Sequence, residues 1–420
     1  MLRFLKWFFG FFSSYVHPFE RKVDKFFRNV KSTDSISSIK DSLLALMQEN
    51  LVIVSVWMEK KYKGYTYLSK SVRRKMYEDV EKIKMALADF EKNLVVGMED
   101  LKALIDEKGL VFPVGDEEKL KYLFVIMQFL QPGRIYQYIQ TASFGKLLRD
   151  PSVEKLEGDC NQIVTLYMYL YSLKYPLSDL NIKLLPEHVC LHFRNIDIEA
   201  TNGTFQKYTE NKEVLPATEI VSTNLLDLTD FREEVQVISP RVIVKSAQLA
   251  FAISSLKALV AKNLNIAYHN LAVGALKSND FETAIFYLEK EGDPAGIKAA
   301  YHNGALYYLK NHDFSKARFF ASKSGNPELE KTIRYNEGVY FYEKGSINSA
   351  LKIFTSLGDE KMKKACYAKM YNNLVKKVIN VRTLPDVKSH KSTYLKMLDL
   401  ARKMGDSNLE QSVKETLSNI

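Results

Sequence analysis

Glu157-Gly158-Asp159-Cys160-Asn161-Gln162-Ile163-Val164 is the stretch on which the fold turns. Beyond Cys160, the residues Ile163, Val164, Leu166, Tyr167, Leu170, Tyr171 and Leu173 recur at helical spacing, and Asp159 suits the N-cap of that helix. The thiol is therefore expected at a helix N-terminus. There the partial positive charge of the helix end favours thiolate over thiol, and free backbone N–H groups could receive a developing oxyanion.

Working outward, short alternating runs follow (Ile182, Leu184; Val189, Leu191, Phe193; Ile196, Ile198) and predict strands. His188 stands in Leu185-Pro186-Glu187-His188-Val189, and Glu199 in Ile198-Glu199-Ala200-Thr201. Cysteine, then histidine, then acid is an order used in thiol catalysis. Asp197 rivals Glu199 for the acid, because positions two apart share a strand face. His188, Cys190 and His192 alternate too, and with Cys160 they make a Cys₂His₂ set that zinc would accept. Ligands two apart on one strand are not a usual zinc spacing, and no metal or cofactor is expected.

These words, Gly-Asp-Cys before a helix, Pro-Glu-His-Val opening a strand and Ile-Glu-Ala-Thr-Asn-Gly closing one, resemble the transglutaminase-like branch of the papain-like thiol fold, most closely its bacterial SirB-type members. The resemblance implies acyl transfer by Cys160, proton shuttling by His188 and orientation of the imidazole by Glu199, with Asp197 as the alternative acid. The wider family usually has Asp in the third position, so Glu199 is a departure. With water as acceptor the reaction is that of a peptidase or amidase; with an amine such as lysine it is a cross-linking transglutaminase reaction. Several SirB-type relatives are known for regulatory effects, so a non-catalytic regulatory or scaffold protein with a degenerate thiol domain is the alternative.

The chain has 420 residues, 46% hydrophobic and 26% charged, an ordinary globular balance with material for two or three domains. Three scattered cysteines, Cys160, Cys190 and Cys366, make no disulfide framework and point to a reducing compartment such as the cytoplasm. Of the net charge of +10, half falls in residues 1–31, where Arg3, Lys6, Arg21, Lys22, Lys25, Arg28 and Lys31 face only Glu20 and Asp24. The remainder has no sustained basic stripe interleaved with aromatics, so no nucleic-acid partner is expected.

Residues 1–30 are also rich in aromatics, with Phe4, Trp7, Phe8, Phe9, Phe11 and Phe12 leading. This run is too short and too charged to span a bilayer, and no small-residue cleavage site follows it. Two readings stand: an amphipathic helix packed on the domain, or one lying on a membrane surface. Pro18 starts or kinks a second helical piece, Glu20 to Val30, ahead of a Ser/Thr/Asp-rich linker. Helical spacing then runs from Ile39 to about Asp106, and Glu117 to Gln131 reads as a helix ended by Pro132-Gly133.

From Ser246 the chain turns helical again. Asn279-Asp280-Phe281, His312-Asp313-Phe314 and Gly345-Ser346-Ile347 each precede an alanine (Ala284, Ala317, Ala350) at a step of 33 residues. Twelve residues before each alanine lies a small residue, Ala272, Ala305 or Gly338, where paired helices must approach closely. The pattern resembles the tetratricopeptide repeat, which implies a groove for a protein or peptide partner. His269 and His302 fall at the same period and so read as scaffold positions. A fourth unit begins near Ala365, and Leu395 to Ile420 reads as one capping helix.

The expected architecture is α+β: a basic aromatic leader (1–35), a helical region (36–110), a papain/transglutaminase-like thiol domain with a small antiparallel sheet (111–245), and a C-terminal α-helical repeat array (246–420). The family resemblance spans roughly residues 115 to 375.

Overall fold

The computed structural model describes residues 14–209, 213–228, 236 and 238–419. The aromatic run from Phe4 to Phe12 lies outside the described residues, and so do the expectations placed on it. The chain is mostly helical, with a five-stranded antiparallel sheet and a C-terminal helical array, an α+β arrangement. It divides into two compact units, Met1–Leu271 and Ala272–Ile420.

In the first unit the helix Pro18–Asn29 starts at the proline, whose fixed φ suits the first helical position, and His17 accepts the Phe19 N–H. It buries Phe19, Val23 and Phe27, and with them two carboxylates that need partners. Glu20 meets Arg73 at 2.7 Å, both side chains fully buried. Asp24 accepts from Trp57 Nε1 at 3.0 Å and from the Tyr15 hydroxyl at 2.7 Å. Trp57 belongs to the long helix Ile36–Tyr62, which is interrupted at Asn50 (φ −167°, ψ 92°), where the Asn50 side chain caps the Ile53 N–H. From Leu51 to Glu59 every residue is buried, because the cysteine helix and the helix Pro240–Ile253 both pack on this segment. Helices Lys70–Asn93 and Met98–Glu107 complete the N-terminal layer. No helix among the described residues is long and apolar enough to cross a membrane.

Strand β1 (Tyr136–Tyr138) pairs in parallel with β2 (Leu156–Gly158), which delivers the chain to the cysteine helix Cys160–Ser172. The main sheet has the order β6-β5-β4-β3-β7, with β3 Leu180–Leu185, β4 His188–Phe193, β5 Ile196–Glu199, β6 Thr204–Gln206 and β7 Leu215–Pro216. Two-residue turns link β3 to β4 and β4 to β5, and each carries a residue in the left-handed region, Glu187 (φ 54°) and Arg194 (φ 56°). The cysteine helix packs on β4, with the Tyr171 ring against Phe193. Alternation then sets Lys183, His188, Cys190, His192, Asp197 and Glu199 on the other face, with Lys183 opposite Cys190 and His192 opposite Asp197.

The second unit repeats one helix pair, Pro294–Lys310 with Phe314–Ser324 and Pro327–Glu343 with Ile347–Leu357. The second helix of each pair ends on a left-handed glycine, Gly325 or Gly358, as the preceding helix Phe281–Glu291 does at Gly292. Ala284, Ala317 and Ala350 are fully buried, as are Ala272 and Ala305. Leu395 to Ile420 is not one helix: Lys391–Met404 and Ser407–Ser418 are separated at Gly405 (φ 73°), where Asp406 caps the new start. The division between the units falls within the helix Lys257–Lys277, and Leu249, Ala250, Ile253 and Val260 are buried in the core of the first unit.

At Gly338 a Cβ would lie 2.8 Å from the buried Phe354 ring. Gly338→Val is therefore expected to lower the stability of the second unit by about 2 kcal/mol, read as a shifted urea midpoint by circular dichroism.

Candidate active site

Cys160 is the first residue of its helix and is 8% exposed. Asp159 caps the helix, one carboxylate oxygen accepting the N–H groups of Asn161 (3.0 Å) and Gln162 (3.3 Å). These two donors are thereby occupied and not open to an oxyanion, whereas the Cys160 N–H takes no part in the cap.

His188 opens β4 beside the thiol. Its Nε2 donates to Glu199 Oε2 at 2.6 Å, which leaves Nδ1 as the ring nitrogen available to the neighbouring Cys160 thiol. Interaction with Cys160, and then with Glu199, raises the His188 pKa to about 10 against the opposing effect of burial. Glu199 is itself buried. Burial pushes its carboxyl up, but hydrogen bonds from His188, Thr201 and Tyr208 outweigh this and hold it below its usual value. Oε1 accepts from the Thr201 N–H (3.1 Å) and hydroxyl, and Oε2 from the Tyr208 hydroxyl at 2.7 Å. Sequence reading missed both supports. Thr201, two residues on, has a local signal, since hydroxyl side chains bond carboxylates at that separation; Tyr208 lies beyond another strand and has none.

Asp197 is placed elsewhere. Its Oδ1 meets His192 Nδ1 at 2.6 Å, and its Oδ2 accepts from Lys183 Nζ (2.8 Å) and the Tyr208 N–H (2.7 Å). Burial pushes this carboxyl up too, and the His192 and Lys183 contacts overcome it. The two histidines of β4 thus each face their own carboxylate, Glu199 for His188 and Asp197 for His192. Among the described residues no group of three or more His, Cys, Asp or Glu side chains could hold a metal ion. Cys190 lies on the same sheet face, fully buried, and burial pushes its thiol up to about 12. It is a poor nucleophile at neutral pH.

Behind the cap lies a second charged cluster. Burial raises the Asp159 pKa to about 6, with Asp227 adding to the effect. Asp227 also accepts from the Asn161 side chain at 3.2 Å. Glu59, from the long helix, accepts the N–H groups of Phe144 and Gly145, and burial raises it to about 7 despite the nearby Lys63.

A scan against protein-family models finds no match, and neither does a search of the curated proteins.

Because Asp159 and Glu59 bind a proton more tightly folded than unfolded, their contribution to stability grows as pH falls through 7 and 6 toward 4. His188, raised to about 10, contributes fully below the unfolded value near 6.5, and that contribution is lost as pH rises toward 10. Both trends make the protein less stable from pH 5 to pH 9. Asp159→Asn keeps a capping oxygen and should flatten the profile between pH 4 and 6, by on the order of 2 kcal/mol, in thermal unfolding at stepped pH.

Proposed function

We propose that this chain is a protein- or peptide-directed cysteine acyltransferase or amide hydrolase, with Cys160 as nucleophile, His188 as proton carrier and Glu199 as the group that orients the imidazole. The observation that supports it is the hydrogen-bonded His188–Glu199 pair on two adjacent strands, brought beside Cys160 at a helix N-terminus. The Cys160 sulfur, beside the His188 imidazolium, forms a bond to an amide carbonyl carbon. The oxyanion that results is met by the N–H of Cys160. When the C–N bond breaks, His188 gives its proton to the departing amine, and a thioacyl enzyme remains. Water or a second amine then attacks the thioester as His188 takes up its proton, and the C–S bond breaks to return the Cys160 sulfur beside the imidazolium. Glu199 stays ionised throughout and fixes Nε2, so that Nδ1 faces sulfur.

The helical repeats of the second unit are the part suited to select a protein or peptide partner, since stacked helix pairs present an extended groove. We place the protein in the cytoplasm, consistent with three free cysteines among the described residues; within residues 1–30, the aromatic and basic stretch ahead of the packed helix Pro18–Asn29 is the part suited to a membrane surface. The non-catalytic regulatory reading draws its support from the low exposure of Cys160, 8%, which narrows access for a substrate.

Labelling with a thiol-reactive glutamine-peptide probe separates the two. The wild type should be labelled and Cys160→Ala should not, and Glu199→Gln should slow labelling about a hundredfold. Equal labelling of wild type and Cys160→Ala, or iodoacetamide reacting with Cys160 no faster than with a free cysteine, would sink the catalytic reading.

A further inference from the structure

The polar face of the sheet carries two carboxylates, and one residue outside the sheet touches both. Tyr208 follows β6 and crosses that face. Its backbone N–H donates to Asp197 Oδ2 at 2.7 Å, and its hydroxyl donates to Glu199 Oε2 at 2.7 Å, the same oxygen that His188 Nε2 meets at 2.6 Å. Lys183 Nζ, bound to Asp197, also reaches the Tyr208 carbonyl at 3.4 Å. The peptide at Tyr208 is thus held on both sides by the buried Asp197–Lys183 pair, which His192 completes.

We infer that Tyr208 is a positioning residue for the Cys160 site, anchored through its backbone by Asp197 and locking Glu199 through its hydroxyl. This rests on the catalytic reading of Cys160, His188 and Glu199 given above. The reasoning is geometric. A glutamate has one more rotatable bond than an aspartate, and it holds an imidazole less firmly unless both of its oxygens are fixed. Thr201 fixes Oε1, and Tyr208 fixes Oε2 together with His188. Without the phenol, Oε2 has only the imidazole to orient it, and the direction of the imidazole toward sulfur loosens with it. Asp197, a rival for the catalytic acid by strand parity, acts here one step further back: it never meets His188 and sets the backbone from which Tyr208 reaches Glu199. The Asp197 cluster thereby acquires a part in the site that neither histidine pair shows alone.

The test is Tyr208→Phe in the full chain, which keeps the ring and removes the hydroxyl. Three readouts are taken: the alkylation rate of Cys160 by iodoacetamide as a function of pH, the downfield proton resonance of His188 Nε2–H in the NMR spectrum, and the thermal midpoint. Alkylation near neutral pH should fall about tenfold, and the downfield resonance should move or broaden, with the midpoint lowered by a few degrees and unfolding still cooperative. An unchanged alkylation profile with an unchanged resonance would overturn the inference. So would slower Cys160 labelling accompanied by faster labelling of the buried Cys190 and Cys366, since that pattern reports general loosening. None of these readouts requires turnover, so a wild type that processes no glutamine probe would defeat the catalytic reading while the response of the resonance still decides the role of Tyr208.

Discussion

A buried negative charge at Glu199 is the constraint on which the site depends. An ionised carboxylate removed from water is costly unless every lone pair finds a donor. Here an imidazole, a phenol, a hydroxyl and a backbone N–H converge on the two oxygens. Those donors come from β4, from the turn after β5 and from the segment after β6, so satisfying one carboxylate fixes three pieces of chain relative to one another. Buried acids elsewhere in the first unit also meet donors: Glu20 with Arg73 and Asp24 with Trp57 and Tyr15. Buried acids here act as rivets between helices and loops whose apolar faces alone would permit several arrangements.

Much of this was legible in the sequence because it is local. Asp159 reads as a cap and Cys160 as the head of a helix from a dozen neighbouring residues, and the strand alternation around Val189, Leu191 and Phe193 is equally short-range. The 33-residue step announces itself by self-similarity, and the helices Phe281–Glu291 and Phe314–Ser324 fall where it puts them. What the sequence left open depends on register and on long-range contact. Asp197 and Glu199 could not be ranked because they share a face; pairing of β4 with β5 sets Asp197 opposite His192, and only that register leaves Glu199 for His188. Asp227 meets Asn161 across a separation of 66 residues, and no local pattern announces such a partner. The single capping helix expected after Leu395 failed for a local reason, since Gly405 followed by Asp406 is itself a stop and start signal.

The two units rest on different kinds of cohesion. The first is held by contacts distant in sequence, with a helix from the N-terminal layer, the cysteine helix and the helix Pro240–Ile253 meeting around Leu51 to Glu59. In the second, each helix packs mainly on the next, and stability is close to a sum over neighbours. Damage to one repeat stays near that repeat, whereas damage to the long helix reaches the sulfur of Cys160.

The two-residue turn that closes β3 onto β4 has a consequence for how such a chain can diverge. A repeat array grows or shrinks by whole units at little cost, but the hairpin at Glu187 has no such latitude. Strand faces alternate with a period of two, so one inserted residue ahead of His188 that shifted the pairing by one would turn the imidazole into the apolar face, opposite Leu184, and move Val189 onto the polar face opposite Lys183. Parity, more than residue identity, is what this hairpin has to conserve, and length variation would be purged here even where the surrounding loops drift freely.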